Sequence, residues 1–238
     1  KLDSDYSNDG VVVGQENFFL RVNAQDRLEV RINNGTNITT PVASALILNK
    51  WTHVAATYSA GTVKLYVNGL LITTASSGTT INSSANNLFR IGSVPTITNG
   101  QYFKGQIEEV RVFNISLTDD QIQRMVNQEL SVSNFSRGEI IPINIPGLTA
   151  SSLIRYFRMD TFKNDILDNL VTPTVDLVTG AKLYNIKNIY FQTAPLPFTT
   201  SGNGLWNNIT NWTHAPVWTL PNYPWSIVNV KTNITHNT

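Results

Sequence analysis

The chain has no cysteine among its 238 residues, so neither a disulfide framework nor a thiolate metal site can organise it. Charge is scarce as well: Asp, Glu, Lys and Arg make up 14% of residues, about half the share of an ordinary soluble domain. The 17 basic residues nearly balance the 16 acidic ones, which leaves no basic surface for nucleic acid and no Lys/Arg cluster for an anionic membrane. No apolar run is long enough to cross a bilayer, so direct membrane insertion is not expected. Histidine is limited to His53, His214 and His236, none of them in a G-x-S-x-G or H-E-x-x-H setting. Glu108 and Glu109 are neighbours on an expected strand, so they would point to opposite faces and could not form the facing carboxylate pair of a glycosidase. No catalytic residue is assigned, and a non-enzymatic role is expected. The chain carries neither an initiator Met nor a secretion leader, and is expected to be a piece of a longer protein.

What the sequence has instead is Thr, Asn, Ser and Gly in quantity, together with many β-branched residues, which is an all-β composition. Asn68-Gly69 stands between two β-rich runs, 63–67 and 70–74, and both residues tolerate the positive φ of a type I′ hairpin turn. That turn predicts a register in which Val63, Leu65 and Val67 face the core while Lys64 and Tyr66 face away. Residues 52–58 alternate in the same way up to a second turn at 59–61, with Trp51 expected in the core at the start of this strand. Earlier strands are expected at 11–13, 18–22 and 27–33, with turns at 23–26 and at Asn34-Gly35. A further strand over 105–113 leads to a single short helix. Thr118 is its cap, Asp119 and Asp120 fill its first turn, Gln121 completes a capping box, and Ile122, Met125, Val126 and Leu130 form its apolar stripe.

Four segments, WTHVAATY (51–58), KLYVNG (64–69), LFRIG (88–92) and FKGQIEEVRVFN (103–114), occur in the order and spacing of the laminin-G-like, concanavalin-A-like jelly-roll family, the LamG/pentraxin group, which the chain resembles. The resemblance implies an antiparallel β-sandwich over 1–130, its opening strands lying before Lys1. A connector at 131–152, broken by Gly138, Pro142, Pro146 and Gly147, then leads to a smaller β region at 153–238. There LIRYFRMD (153–160) is similar to the opening strand of another such repeat, 187–192 and 227–234 read as strands, and the Trp-rich tail looks like a module between repeats of a large bacterial surface protein.

Oxygen-rich loops at the rim of such a sandwich suit calcium, and Asp3, Asp5 and Asp9 are candidate ligands, joined by Glu108 at the position of the family's Asp. A solvated turn is the alternative reading of the loop. Sugar recognition needs exposed aromatic faces, for which Tyr102, Phe103, Trp206, Trp212 and Trp218 are candidates, although such rings more often lie in a core. Eight N-x-S/T sequons also occur, as they do by chance in a chain this rich in Asn, Thr and Ser. The expected role is a binding and spacing module of a secreted or cell-surface, adhesin-like bacterial protein, with carbohydrate or protein ligands and neighbouring repeats of the same polypeptide as partners. The alternative is a carbohydrate-binding accessory module of a secreted polysaccharide-degrading enzyme.

Overall fold

Two-residue turns set the strand register from residue 54 to residue 76. In the computed structural model, which describes residues 1–33, 35–78, 80–83, 88–93, 101–126, 130–131, 139–140, 145, 147–159, 162–171, 180–185, 198–199, 202–205 and 232–233, Asn68 and Gly69 take φ values of 50° and 78°. Those angles fit the type I′ geometry expected of an Asn-Gly pair, and the pair joins β6 (Thr62–Val67) to β7 (Leu70–Ser76). Ala60 and Gly61, also at positive φ, join β5 (Val54–Ser59) to β6 in the same manner. The Asn68 side chain adds to the turn by accepting a hydrogen bond from the His53 amide at 3.1 Å, while its own amide donates to the His53 carbonyl at 2.8 Å. This exchange anchors the entry to β5.

The chain forms two compact units, Lys1–Gln106 and Ile107–Thr238. In the first unit, β1 (Gly10–Gln15), β2 (Phe18–Val22), β3 (Leu28–Ile32), β4 (Thr36–Thr39) and β8 (Arg90–Ile91) make a five-stranded sheet in the order β4-β3-β2-β1-β8. A three-stranded sheet, β5-β6-β7, supplies the second layer, and all pairings in both sheets are antiparallel. Leu20, Leu28, Val30, Ile32 and Ile38 of the larger sheet share a core with Val63 and Leu65 of the smaller one. At about 1.5–3 kcal/mol for each large apolar side chain buried, these seven residues contribute on the order of 10–20 kcal/mol before the entropy of ordering the chain is subtracted.

The expected register holds for Val63 and Leu65, but Tyr66, assigned to the opposite face, is also fully buried. A bulge beside it leaves Ile72 of β7 unpaired and keeps β6 itself regular, so Tyr66 stays on the expected face and that face is covered as well. Trp51 is a correction of a different kind: it lies in coil before β5 and is only half-buried.

The second unit holds β9 (Val110–Phe113), α1 (Asp119–Met125), β10 (Leu130–Ser131), β11 (Glu139–Ile140), β12 (Leu153–Phe157), β13 (Phe162–Lys163), β14 (Ile166–Leu167), β15 (Ala181–Lys182), β16 (Phe198–Thr199) and β17 (Thr232–Asn233). The helix begins as predicted, with the Thr118 hydroxyl accepting from the Gln121 amide and the Gln121 side chain accepting from the Thr118 amide. β9 is shorter than the expected 105–113 strand because Glu109 sits at φ 56°, outside the extended region that a strand requires. Its partner is β12, which ends at Phe157, shortly before Met159 turns to φ 69°. β13, β14 and β15 form a small antiparallel sheet, and β16 pairs with β17 in parallel, the one parallel pairing between two strands among the described residues. The strand expected at 187–192 and most of the one at 227–234 lie outside the described residues, as do Trp206, Trp212 and Trp218.

Candidate functional site

Residues 101–105 run extended beside β1, held by backbone bonds on several sides. The Val11 amide donates to the Gln101 carbonyl at 3.0 Å and the Phe103 amide to the Gly92 carbonyl at 3.0 Å, while Leu2 and Gly105 form an antiparallel bridge. A Cβ at Gly105 would overlap the Lys1 carbonyl oxygen, so glycine is needed where these two segments meet. Side chains alternate along an extended segment. Phe103 turns inward, its ring centroid 6.1 Å from that of Tyr6, and Tyr102 and Lys104 turn outward. Tyr102 is 68% exposed. An aromatic face of this size, open to solvent on a backbone fixed by hydrogen bonds, offers a stacking surface whose ordering cost on binding is small. The Lys104 ammonium, two residues along the segment from Tyr102, forms an ion pair with the Asp5 carboxylate. Of the expected aromatic pair, Tyr102 therefore faces solvent and Phe103 packs against Tyr6.

The acidic loop is organised by cations of the protein itself. Asp9 accepts from the Ala24 amide at 3.0 Å and pairs with Arg21 at 3.0 Å. Arg21 in turn binds Glu29 on the neighbouring strand, and both side chains are only 7% exposed. The Thr39 hydroxyl closes the row by donating to the second Glu29 oxygen at 2.6 Å. The Asp3 carbonyl accepts from the Tyr6 amide, and Asp5 faces Lys104. Glu108 is half-buried at the start of the second unit. Among the described residues no group of three carboxylate or imidazole side chains is gathered as a metal site. Asp5 and Asp9 are each paired with a basic side chain, which a calcium ion at this loop would have to displace.

Beside this loop the Tyr6 hydroxyl donates to the Val22 carbonyl at 2.6 Å. Burial, reinforced by the Asp9 charge, holds this phenol well above its ordinary ionisation range.

The second unit contains an ionic cluster that sequence reasoning missed. Glu109 Oε2 accepts from Arg111 at 2.6 Å and from the Tyr156 hydroxyl at 2.8 Å, with Arg158 Nε 3.9 Å from Oε1. Arg111 also donates to the Met125 carbonyl at the end of α1 and lies over the Tyr156 ring, 5.5 Å from its centroid. Burial pushes the Glu109 carboxyl up, opposed by Arg111 and its hydrogen bond, while burial and the nearby Glu109 charge both push the Tyr156 phenol up. The enclosed carboxylate, through Arg111 and Tyr156, links β9, α1 and β12. The signal available in the sequence was an acidic residue just before a short apolar strand and a basic residue two positions on, within it.

Comparison with known proteins follows from this architecture. No curated protein matches the chain significantly. A protein from Bacteroides ovatus, provisionally named as carbohydrate binding, shares 24% sequence identity with a TM-score of 0.53, over 71% of this chain and 46% of its own. The chain thus spans less than half of that protein, and the likeness concerns the fold. A heptameric pentraxin from Limulus polyphemus, at 18% identity and TM-score 0.42 over 52% of this chain and 66% of its own, is too distant to carry an argument. A laminin-G family model described as the Concanavalin A-like lectin/glucanases superfamily matches residues 1–123, more than half of the chain, and the chain belongs to that family.

Proposed function

We propose that the chain is a non-enzymatic carbohydrate-binding module of a larger extracellular or cell-surface protein. The observation that carries this reading is Tyr102: a solvent-facing ring on a backbone fixed to β1, next to the Lys104–Asp5 pair. Sugars present a C–H face that stacks on aromatic rings and hydroxyls that hydrogen-bond to charged and amide groups, and both requirements are met within one short segment. Membership of a superfamily of lectins and glucanases is consistent with a sugar ligand. Binding rather than hydrolysis is favoured because Glu109, one of the two adjacent glutamates, is enclosed by Arg111, Tyr156 and Arg158. An adhesin-like spacing role follows if the module recurs along its parent polypeptide.

The test is retention on insoluble polysaccharide. The wild-type chain is expected to sediment with at least one of cellulose, chitin, xylan and mannan, and Tyr102→Ala to lose most of that retention while melting at the same temperature. Equal retention of wild type and Tyr102→Ala would remove Tyr102 from the site.

A further inference from the structure

The second unit presents the same side-chain constellation on an unrelated element. Tyr184, just after β15, is 72% exposed. Two residues before it, the Lys182 ammonium lies 5.6 Å from the centroid of the Tyr184 ring and 3.3 Å from the Asp165 carboxylate. Asp165 is held in place from the other side, since its carbonyl accepts from the Leu183 amide at 2.7 Å, and Asn164 before it takes the positive φ of the turn between β13 and β14. β14 and β15 pair directly, Ile166 opposite Lys182, so acid and base are fixed by sheet register.

An exposed tyrosine two residues from a lysine that is paired with an aspartate thus occurs twice, as Tyr102, Lys104 and Asp5 and as Tyr184, Lys182 and Asp165. Surface tyrosines taken singly need no explanation. The second one differs in that a cation over one face orients the ring, which lowers the entropy lost when a ligand stacks on the other face. The carboxylate and the ammonium alongside are an acceptor and a donor suited to neighbouring sugar hydroxyls.

We infer that Tyr184, Lys182 and Asp165 form a second carbohydrate platform, so that the chain carries one sugar site on each unit. The inference rests on the carbohydrate reading proposed above. Its chemical class is a neutral pyranose oligosaccharide, since each lysine is already balanced by its aspartate.

The experiment uses the whole chain labelled with 3-fluorotyrosine, with the Tyr102 and Tyr184 resonances assigned by Tyr102→Phe and Tyr184→Phe. Hexasaccharides of glucose, xylose, mannose and N-acetylglucosamine are the probes. The expected result is that one of them shifts the Tyr184 resonance saturably, and still does so in Tyr102→Ala. Lys182→Ala should then weaken binding at Tyr184 about two- to fivefold, the range of an exposed cation–π contact, and leave the titration of Tyr102 unchanged. A shift of Tyr102 with no shift of Tyr184 by any of the four probes overturns the second platform and leaves the proposed function standing. A shift of Tyr184 alone supports the second platform and removes the first. Silence of both resonances overturns the two together.

Discussion

Removing the Glu109 side chain should destabilise the second unit more than any other single polar change in it. Its carboxylate accepts from Arg111 at 2.6 Å and Tyr156 at 2.8 Å, and the Arg111 and Glu109 side chains are only 9% and 13% exposed. Glu109→Ala leaves the guanidinium buried without its anion, a change that costs about 3–5 kcal/mol, of which the lost tyrosine hydrogen bond is about 1.5–3. The backbone separates this account from a simple loss of volume. Position 109 takes φ 56°, which is strained for alanine as it is for glutamate and free for glycine. Glu109→Gly should therefore be about 1 kcal/mol less destabilised than Glu109→Ala, despite removing more atoms. Glu109→Gln should lie nearest to wild type, because its amide oxygen can still accept from Tyr156. The assay is urea denaturation followed by far-ultraviolet circular dichroism, with midpoints compared at equal slope. Glu109→Ala as stable as wild type, or Glu109→Gly less stable than Glu109→Ala, would refute the reasoning.

Other consequences follow from single positions. Gly69→Val should cost about 1–3 kcal/mol, since a β-branched residue resists the positive φ of the hairpin, and an unchanged melting curve would remove that assignment. Gly14→Ala should destabilise the first unit markedly, because a Cβ there would overlap the Phe19 Cα and Cβ atoms, and a melting temperature within error of wild type would contradict this packing. Tyr6 is held protonated by burial, so its contribution to stability is fully present below the ordinary phenol range and lost as pH rises through its raised value. Tyr6→Phe should flatten the fall in stability at alkaline pH, and a fall as steep as that of wild type would argue against it. Melting curves in chelator and in millimolar calcium should coincide, and a large rise with calcium would mean that the acidic loop rearranges to release Asp5 and Asp9 from Lys104 and Arg21.

Local chemistry made part of this structure legible in the sequence. An Asn-Gly pair between β-branched runs admits few conformations, and Thr118 with Gln121 three residues on satisfies the free amides at the start of a helix, so the hairpin and α1 could be read directly. The apolar side chains of β6 also named their own core face. Tyr66 shows the limit, because alternation tells which side a residue leaves the sheet and not whether that side is covered. The site was harder. Tyr102 could be named as an aromatic in a loop, but its exposure and the inward turn of Phe103 depend on bridges between Val11 and Tyr102 and between Leu2 and Gly105, contacts distant in sequence. Spacing alone does not show that Arg21 and Lys104 return to the acidic loop. The Glu109 network needed β12, more than 40 residues further on, to bring Tyr156 to the carboxylate.

The central claim, that the chain binds a sugar at Tyr102 without cleaving it, is tested most directly by calorimetric titration with the same four hexasaccharides, followed by a reducing-end assay of the mixture. The account predicts measurable heat with at least one sugar, its loss in Tyr102→Ala as far as any binding at Tyr184 allows, and no new reducing ends after prolonged incubation. Hydrolysis of the hexasaccharide, or binding heat identical in wild type and Tyr102→Ala, would contradict it.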